Sequence, residues 1–126
     1  MVTLRHVITL AAVVVCALLA GLVVFQVLLV AGRPLGRFAW GGQHEVLPPM
    51  LRASSAMSVV LYAAIAWFVW RAAAEPEAAG PWIWVLTAFF SLGVVMNAAS
   101  RSRPERLVMT PVVLVLAVSC LLIAQG

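Results

Sequence analysis

Apolar residues fill positions 7–31, 53–70, 81–99 and 107–124, and none of these four runs contains a charged side chain. Polar and charged residues gather in the short stretches between them. A helix needs about 20 mostly apolar residues to cross a hydrocarbon core about 30 Å thick. The pattern therefore predicts four spanning helices. The first run, at about 1.5 Å of rise per residue, is longer than the core and should tilt or protrude; the other three sit near the minimum length. Spanning strands are excluded, because the runs do not alternate and a barrel needs at least about eight strands. The expected fold is an all-α membrane protein: a single transmembrane domain over residues 1–126, built as a four-helix transmembrane bundle.

Composition narrows the class. Of the 126 residues, 65% are hydrophobic and 10% charged, against about 45–50% and about 25% in an ordinary soluble domain. A small domain leaves much of its surface wet and cannot hide that much apolar area. A soluble enzyme, a disordered chain and a disulfide scaffold are excluded. The first run is also longer than the roughly 7–15 apolar residues of a secretory signal, so it is read as a helix that stays.

Charge sets the expected orientation. All eight basic residues are arginines, and the net charge is +4. Six of them (Arg33, Arg37, Arg52, Arg101, Arg103, Arg106) lie on or beside loops 32–52 and 100–106, with only Arg5 and Arg71 on the other side. Basic residues in short loops favour the cytoplasm. Both loops are expected to be cytoplasmic, and both termini and the second loop outside. Trp67, Trp70, Trp82 and Trp84 fall at one interface, where an amphipathic indole is favoured.

The loops differ in content. Residues 72–80 form a plain connection. Residues 32–52 are far longer than the roughly 2–8 residues usual between bundle helices, and they mix Gly41-Gly42 and Pro48-Pro49 with Phe38, Trp40, Val46 and Leu47. Such a loop should be ordered and fold back on the bundle end. Its interior polar cluster is Gln43, His44 and Glu45. The candidate binding or loop-docking cluster joins these to Arg52, Asn97, Ser100, Arg101, Arg103, Glu105 and Arg106. Loop one is expected to dock on loop three, with Glu45 facing the arginines there. Arg103 and Arg106 are further expected to pair with Glu105. Arginine forks also suit lipid phosphate, so anionic headgroups are one expected contact; the plainer alternative is that these arginines only set topology.

Chemistry inside the spans is sparse. Small residues recur at Ala12, Cys16 and Ala20, and Ser54, Ser58, Tyr62 and Ala66 repeat at the same spacing; such stripes are usual packing faces. A proton-coupled carrier buries an ionisable group at membrane depth, and none is present. The small multidrug resistance transporters have this size but need a membrane-embedded glutamate, whereas Glu75 and Glu77 lie in a loop. The small fluoride channels share the size without a match to their third-helix break. His6 and His44 fall on opposite sides, and Cys16 and Cys120 differ in depth by about 8 Å, which argues against a disulfide. No nucleotide, metalloprotease or nucleophile motif is present. No cofactor, no metal and no nucleic-acid partner is expected.

The loop-one string running from Gly36 to Pro49, with Arg52 and the stretch from Asn97 to Arg106, resembles small bacterial four-helix integral membrane proteins. The likeness runs through Gly41, Gly42, Leu47, Pro48, Arg52, Asn97, Ser100 and Glu105. It implies the four-helix architecture and a bacterial cytoplasmic membrane, and no activity. Three function classes stay open. One is a non-catalytic membrane subunit or accessory protein that binds lipid, a membrane protein partner or a second copy of itself. The second is a small oligomeric transporter or channel. The third is an enzyme acting on lipid headgroups, with His44 or Glu45 as acid or base.

Overall fold

The structure is a computed structural model that describes residues 2–126, with side chains from Thr3 onward. It is all-helical, with no strand among the described residues. Four helices dominate: α1 (Val2–Val30), α2 (Pro49–Ala74), α4 (Trp82–Ala98) and α5 (Arg103–Gln125); α3 (Pro76–Ala79) is a single turn between α2 and α4. α1, α2 and α5 are long and apolar enough to cross a membrane, and α4 is a shorter apolar helix of 17 residues.

Buried positions on α1 explain how it packs. Ile8, Ala12, Val15, Leu19, Gln26 and Leu29 are all buried, and partly buried Leu22 completes the row. Steps of four and three along one face keep a straight seam toward neighbouring helices. The expected small-residue stripe shares only Ala12 with that seam: Ala20 is exposed, while Cys16 Sγ reaches Ala66 O on α2 at 3.6 Å. Both cysteines are free.

The helices stand in the order α2, α1, α5, α4. α1 packs on both α2 and α5, and α4 packs on α5; no comparably extended contact joins α2 to α4. The array therefore stays open along one side. At Gly93, close approach lets α4 settle on α5, where an added Cβ would lie 3.0 Å from Val113 Cγ1.

Arginines lock the antiparallel α1–α2 pair at both ends. Arg5, near the start of α1, donates to Ala73 O at 2.8 Å and Ala74 O at 3.2 Å. Arg52, in the first turn of α2, donates through Nε and Nη2 to Val30 O at 2.9 and 2.7 Å. The last carbonyls of a helix lack intrahelical partners and carry the negative end of its dipole, so a guanidinium fits there on both counts.

Loop three is shorter than the sequence pattern indicates. Residues 103–106 are the first turn of α5, not loop. Ser102 caps that helix, its Oγ accepting from Glu105 N at 3.4 Å, and Pro104 suits the first turn because its missing N–H is no loss. The predicted pairing of Glu105 with Arg103 and Arg106 does not form. Arg106 Nη1 instead donates to Ser100 O at 3.0 Å. Glu45 likewise makes no ion pair: the one ion pair among the described residues is Arg71–Glu75 at 3.3 Å, on the exposed surface of the opposite end.

Candidate functional site

The long loop is ordered by turns whose geometry is set locally. Gly32, at φ 85°, ends α1: Gly32 N donates to Leu29 O at 3.1 Å and Arg33 N to Leu28 O at 3.0 Å. That left-handed glycine cap satisfies carbonyls left over by the helix. Two short 3-10 turns follow, Gly36–Phe38 and Trp40–Gly42. Gly36 N donates to Glu45 O at 2.8 Å and closes the loop on itself. A Cβ at Gly36 would collide with the His44 carbonyl, so only glycine fits this crossing.

The second turn is the anchor. Trp40, Gly41 and Gly42 have φ of 53°, 79° and 71°. A tryptophan in the left-handed region is held there at a cost of about 1–3 kcal/mol. Three contacts hold it. Trp40 Nε1 donates to the buried Ser55 Oγ on α2 at 3.0 Å; Gly41 N donates to Glu105 Oε2 on α5 at 2.9 Å; and Ser102 Oγ donates to Arg37 O. The loop thus spans from α2 to α5 over one end of the array. Glu105 is buried, and its carboxylate sits in the first turn of α5, where the helix dipole favours negative charge.

Beneath this bridge lies a cavity of about 670 Å³. α1 contributes Leu22, Phe25 and Gln26; α2 contributes Leu51, Ser58 and Tyr62; α4 contributes Phe89, Phe90, Leu92, Gly93, Met96 and Asn97; and α5 contributes Glu105, Met109, Val113 and Leu116. Phe38 to Gly41 and Gln43 roof it. It occupies the space left where α2 and α4 fail to meet. From Glu105 to Leu116 it runs about 16 Å along α5 at helical rise. Its roof end is polar and its floor is aromatic and aliphatic.

Of the ten residues singled out from sequence, Gln43, Asn97, Ser100 and Glu105 line this cavity; His44, Glu45, Arg52, Arg101, Arg103 and Arg106 do not. Gln43, His44 and Glu45 have exposed side chains, as do Arg101 and Arg103. Arg52 is committed to the end of α1. No arginine borders the cavity.

Gln26 is the residue that sequence reasoning passed over. It is 7% exposed, it borders the cavity, and its Oε1 has no hydrogen-bond partner. The signal was available: Gln26 is the one strongly polar residue in the buried row from Ile8 to Leu29. Thr110 Oγ1 is also buried without a partner but does not border the cavity. A second, smaller cavity of about 270 Å³ lies at the opposite end, lined by Pro76, Glu77, Gly80, Ile83, Ile123 and neighbouring residues. The described residues contain no group of three or more His, Cys, Asp or Glu able to hold a metal ion.

No family model matches this chain, and neither a curated protein nor a solved structure matches it.

Proposed function

We propose that the chain is a four-helix integral membrane protein that binds a membrane lipid in the side opening between α2 and α4, as a non-catalytic accessory protein. The observation that carries this reading is the 670 Å³ cavity, apolar through most of its lining, polar at one end, and open on the flank where two helices do not pack. A site that is mostly apolar with a few convergent polar groups is the usual form of a small-molecule pocket. Exposed Met57, Val60, Val95 and Val115 on the outer faces fit a lipid surround. α4 completes the set as the shortest span. The arginine distribution supports loops one and three on the cytoplasmic side of a bacterial membrane. With single cysteines at Arg37 or Glu77 in a background lacking Cys16 and Cys120, an impermeant thiol reagent outside intact cells labels only the second; the opposite pattern reverses the orientation.

Ser58→Phe tests the binding site. Ser58 borders the cavity and spends its hydroxyl on Ser54 O of its own helix at 3.1 Å, so an aromatic ring there fills the space and removes no bond between helices. Native mass spectrometry of the wild type should show retained lipid, and Ser58→Phe should lose it. Equal retention in both proteins would place the lipid elsewhere.

A further inference from the structure

We infer that the cavity selects an uncharged lipid whose head carries a free hydroxyl, and that Gln26 is the group that recognises it. The inference rests on the lipid-binding reading above and names the chemistry of the ligand. Three observations lead to it.

The first is the unpaired acceptor. A buried polar atom left without a partner costs about 1–3 kcal/mol, and such orphans are uncommon enough to call for an explanation. Gln26 borders a large cavity, and its buried Oε1 is orphaned. It sits one turn from the end of α1, about 6 Å below the level of Val30. A head lodged beneath the loop-one bridge would meet it there while its chains continued toward Leu116.

The second is that several donors around the cavity are already used. Trp40 Nε1 is bonded to Ser55, Ser58 Oγ to Ser54 O, and Asn97 Nδ2 to Gly93 O at 2.8 Å. Ser100 Oγ accepts from Ser102 N at 3.1 Å. Gln26 Oε1 is left as the buried open acceptor, while the exposed Gln43 amide at the roof and the half-buried Tyr62 can each donate or accept. The open position calls for a donor from the ligand.

The third is charge. Glu105 is the only charged residue in the lining, and no arginine shares the cavity with it. A phosphate head would face a buried carboxylate with no cation to offset it, and like charges in contact cost several-fold or more in affinity. A neutral hydroxyl head avoids this and supplies the missing donor.

The test uses the full-length protein in detergent and native mass spectrometry, with 1,2-dioleoylglycerol, its 3-O-acetyl derivative and dioleoylphosphatidic acid as competing probes. The wild type should retain the free hydroxyl lipid about tenfold better than the acetylated one, as expected for one buried hydrogen bond, and should disfavour phosphatidic acid. Gln26→Met keeps the length of the side chain and removes its polar atoms. It should bind both neutral lipids alike and, without lipid, unfold at or above the wild-type temperature. Equal retention of free and acetylated lipid by the wild type would overturn the assignment and leave Gln26 solvated by water. So would a preference for phosphatidic acid, an unchanged preference in Gln26→Met, or a clear loss of stability in that variant. Retention of none of the three lipids by the wild type is a separate outcome that overturns the lipid-binding reading itself.

Discussion

At the end formed by loop one and the start of α5, order comes from contacts between residues far apart in sequence: Trp40 with Ser55, Gly41 with Glu105, and Arg37 with Ser102. At the opposite end, residues 75–81 turn through the single turn α3, held by neighbours such as Ala78 N to Glu75 O at 2.9 Å. Both ends share an arginine clamp on α1 and α2. They differ in what lies beneath. The long-range end roofs a cavity of about 670 Å³, the local end one of about 270 Å³. A connection only needs to join two helices, and six or seven residues suffice. Loop one has to reach from α2 to α5, which meet only sparsely, and this accounts for its length.

Several substitutions break or sharpen this comparison. The largest effect is expected at Gly36. Gly36→Ala drives a methyl group into the His44 carbonyl and should cost about 3 kcal/mol, the upper end of the usual overpacking cost, because backbone cannot yield as a side chain does. Ala78→Gly, in the exposed turn of α3, should cost under about 1 kcal/mol. Thermal unfolding in detergent reads both, and equal shifts would mean that loop one is no more constrained than loop two.

Next comes Glu105→Ala, which leaves Gly41 N–H without its acceptor and should cost about 1–3 kcal/mol. Glu45→Gln and Glu77→Gln both change exposed side chains and should stay within about 0.5 kcal/mol of the wild type and of each other. A large effect at Glu45 with none at Glu105 would contradict anchoring of loop one through Glu105. Arg52→Gln and Arg5→Gln test where the ends are alike. Each removes charge-assisted bonds to terminal carbonyls, and each should cost about 1–2 kcal/mol. As small an effect as at Glu45 and Glu77 is expected for Arg71→Gln, which removes an exposed ion pair with Glu75 and should cost about 0.5 kcal/mol or less.

Much of this was readable from residues alone, and the exceptions have physical causes. Hydropathy locates the four apolar helices because each run is bounded on at least one side by Gly or Arg. It places the last boundary late at 107, since Ser102-x-x-Glu105 is a helix-start signature that charge density in 100–106 obscures. The length and mixed polarity of loop one signal an ordered segment. The acid that holds it was not legible as Glu105 rather than Glu45. That choice depends on α5 beginning at Arg103, and on Trp40 taking a left-handed backbone that no tryptophan advertises. The cavity was hidden for another reason. Hydropathy gives each helix its apolar length but not the order in which helices stand, and the opening exists only because α2 and α4 are the pair left apart.

The proposed side opening can be tested most directly by photolabelling. The protein is reconstituted in bilayers with a lipid carrying a diazirine in its acyl chain, irradiated, and the adducts are mapped by peptide mass spectrometry. Outward residues such as Leu10 and Val60 should be labelled in any membrane-spanning arrangement. A lipid-filled cavity should give additional adducts on Tyr62 and Met109, which border the cavity and are only partly exposed, and Ser58→Phe should remove these while sparing the outward ones. Labelling confined to outward residues in the wild type would contradict a lipid-filled cavity between α2 and α4.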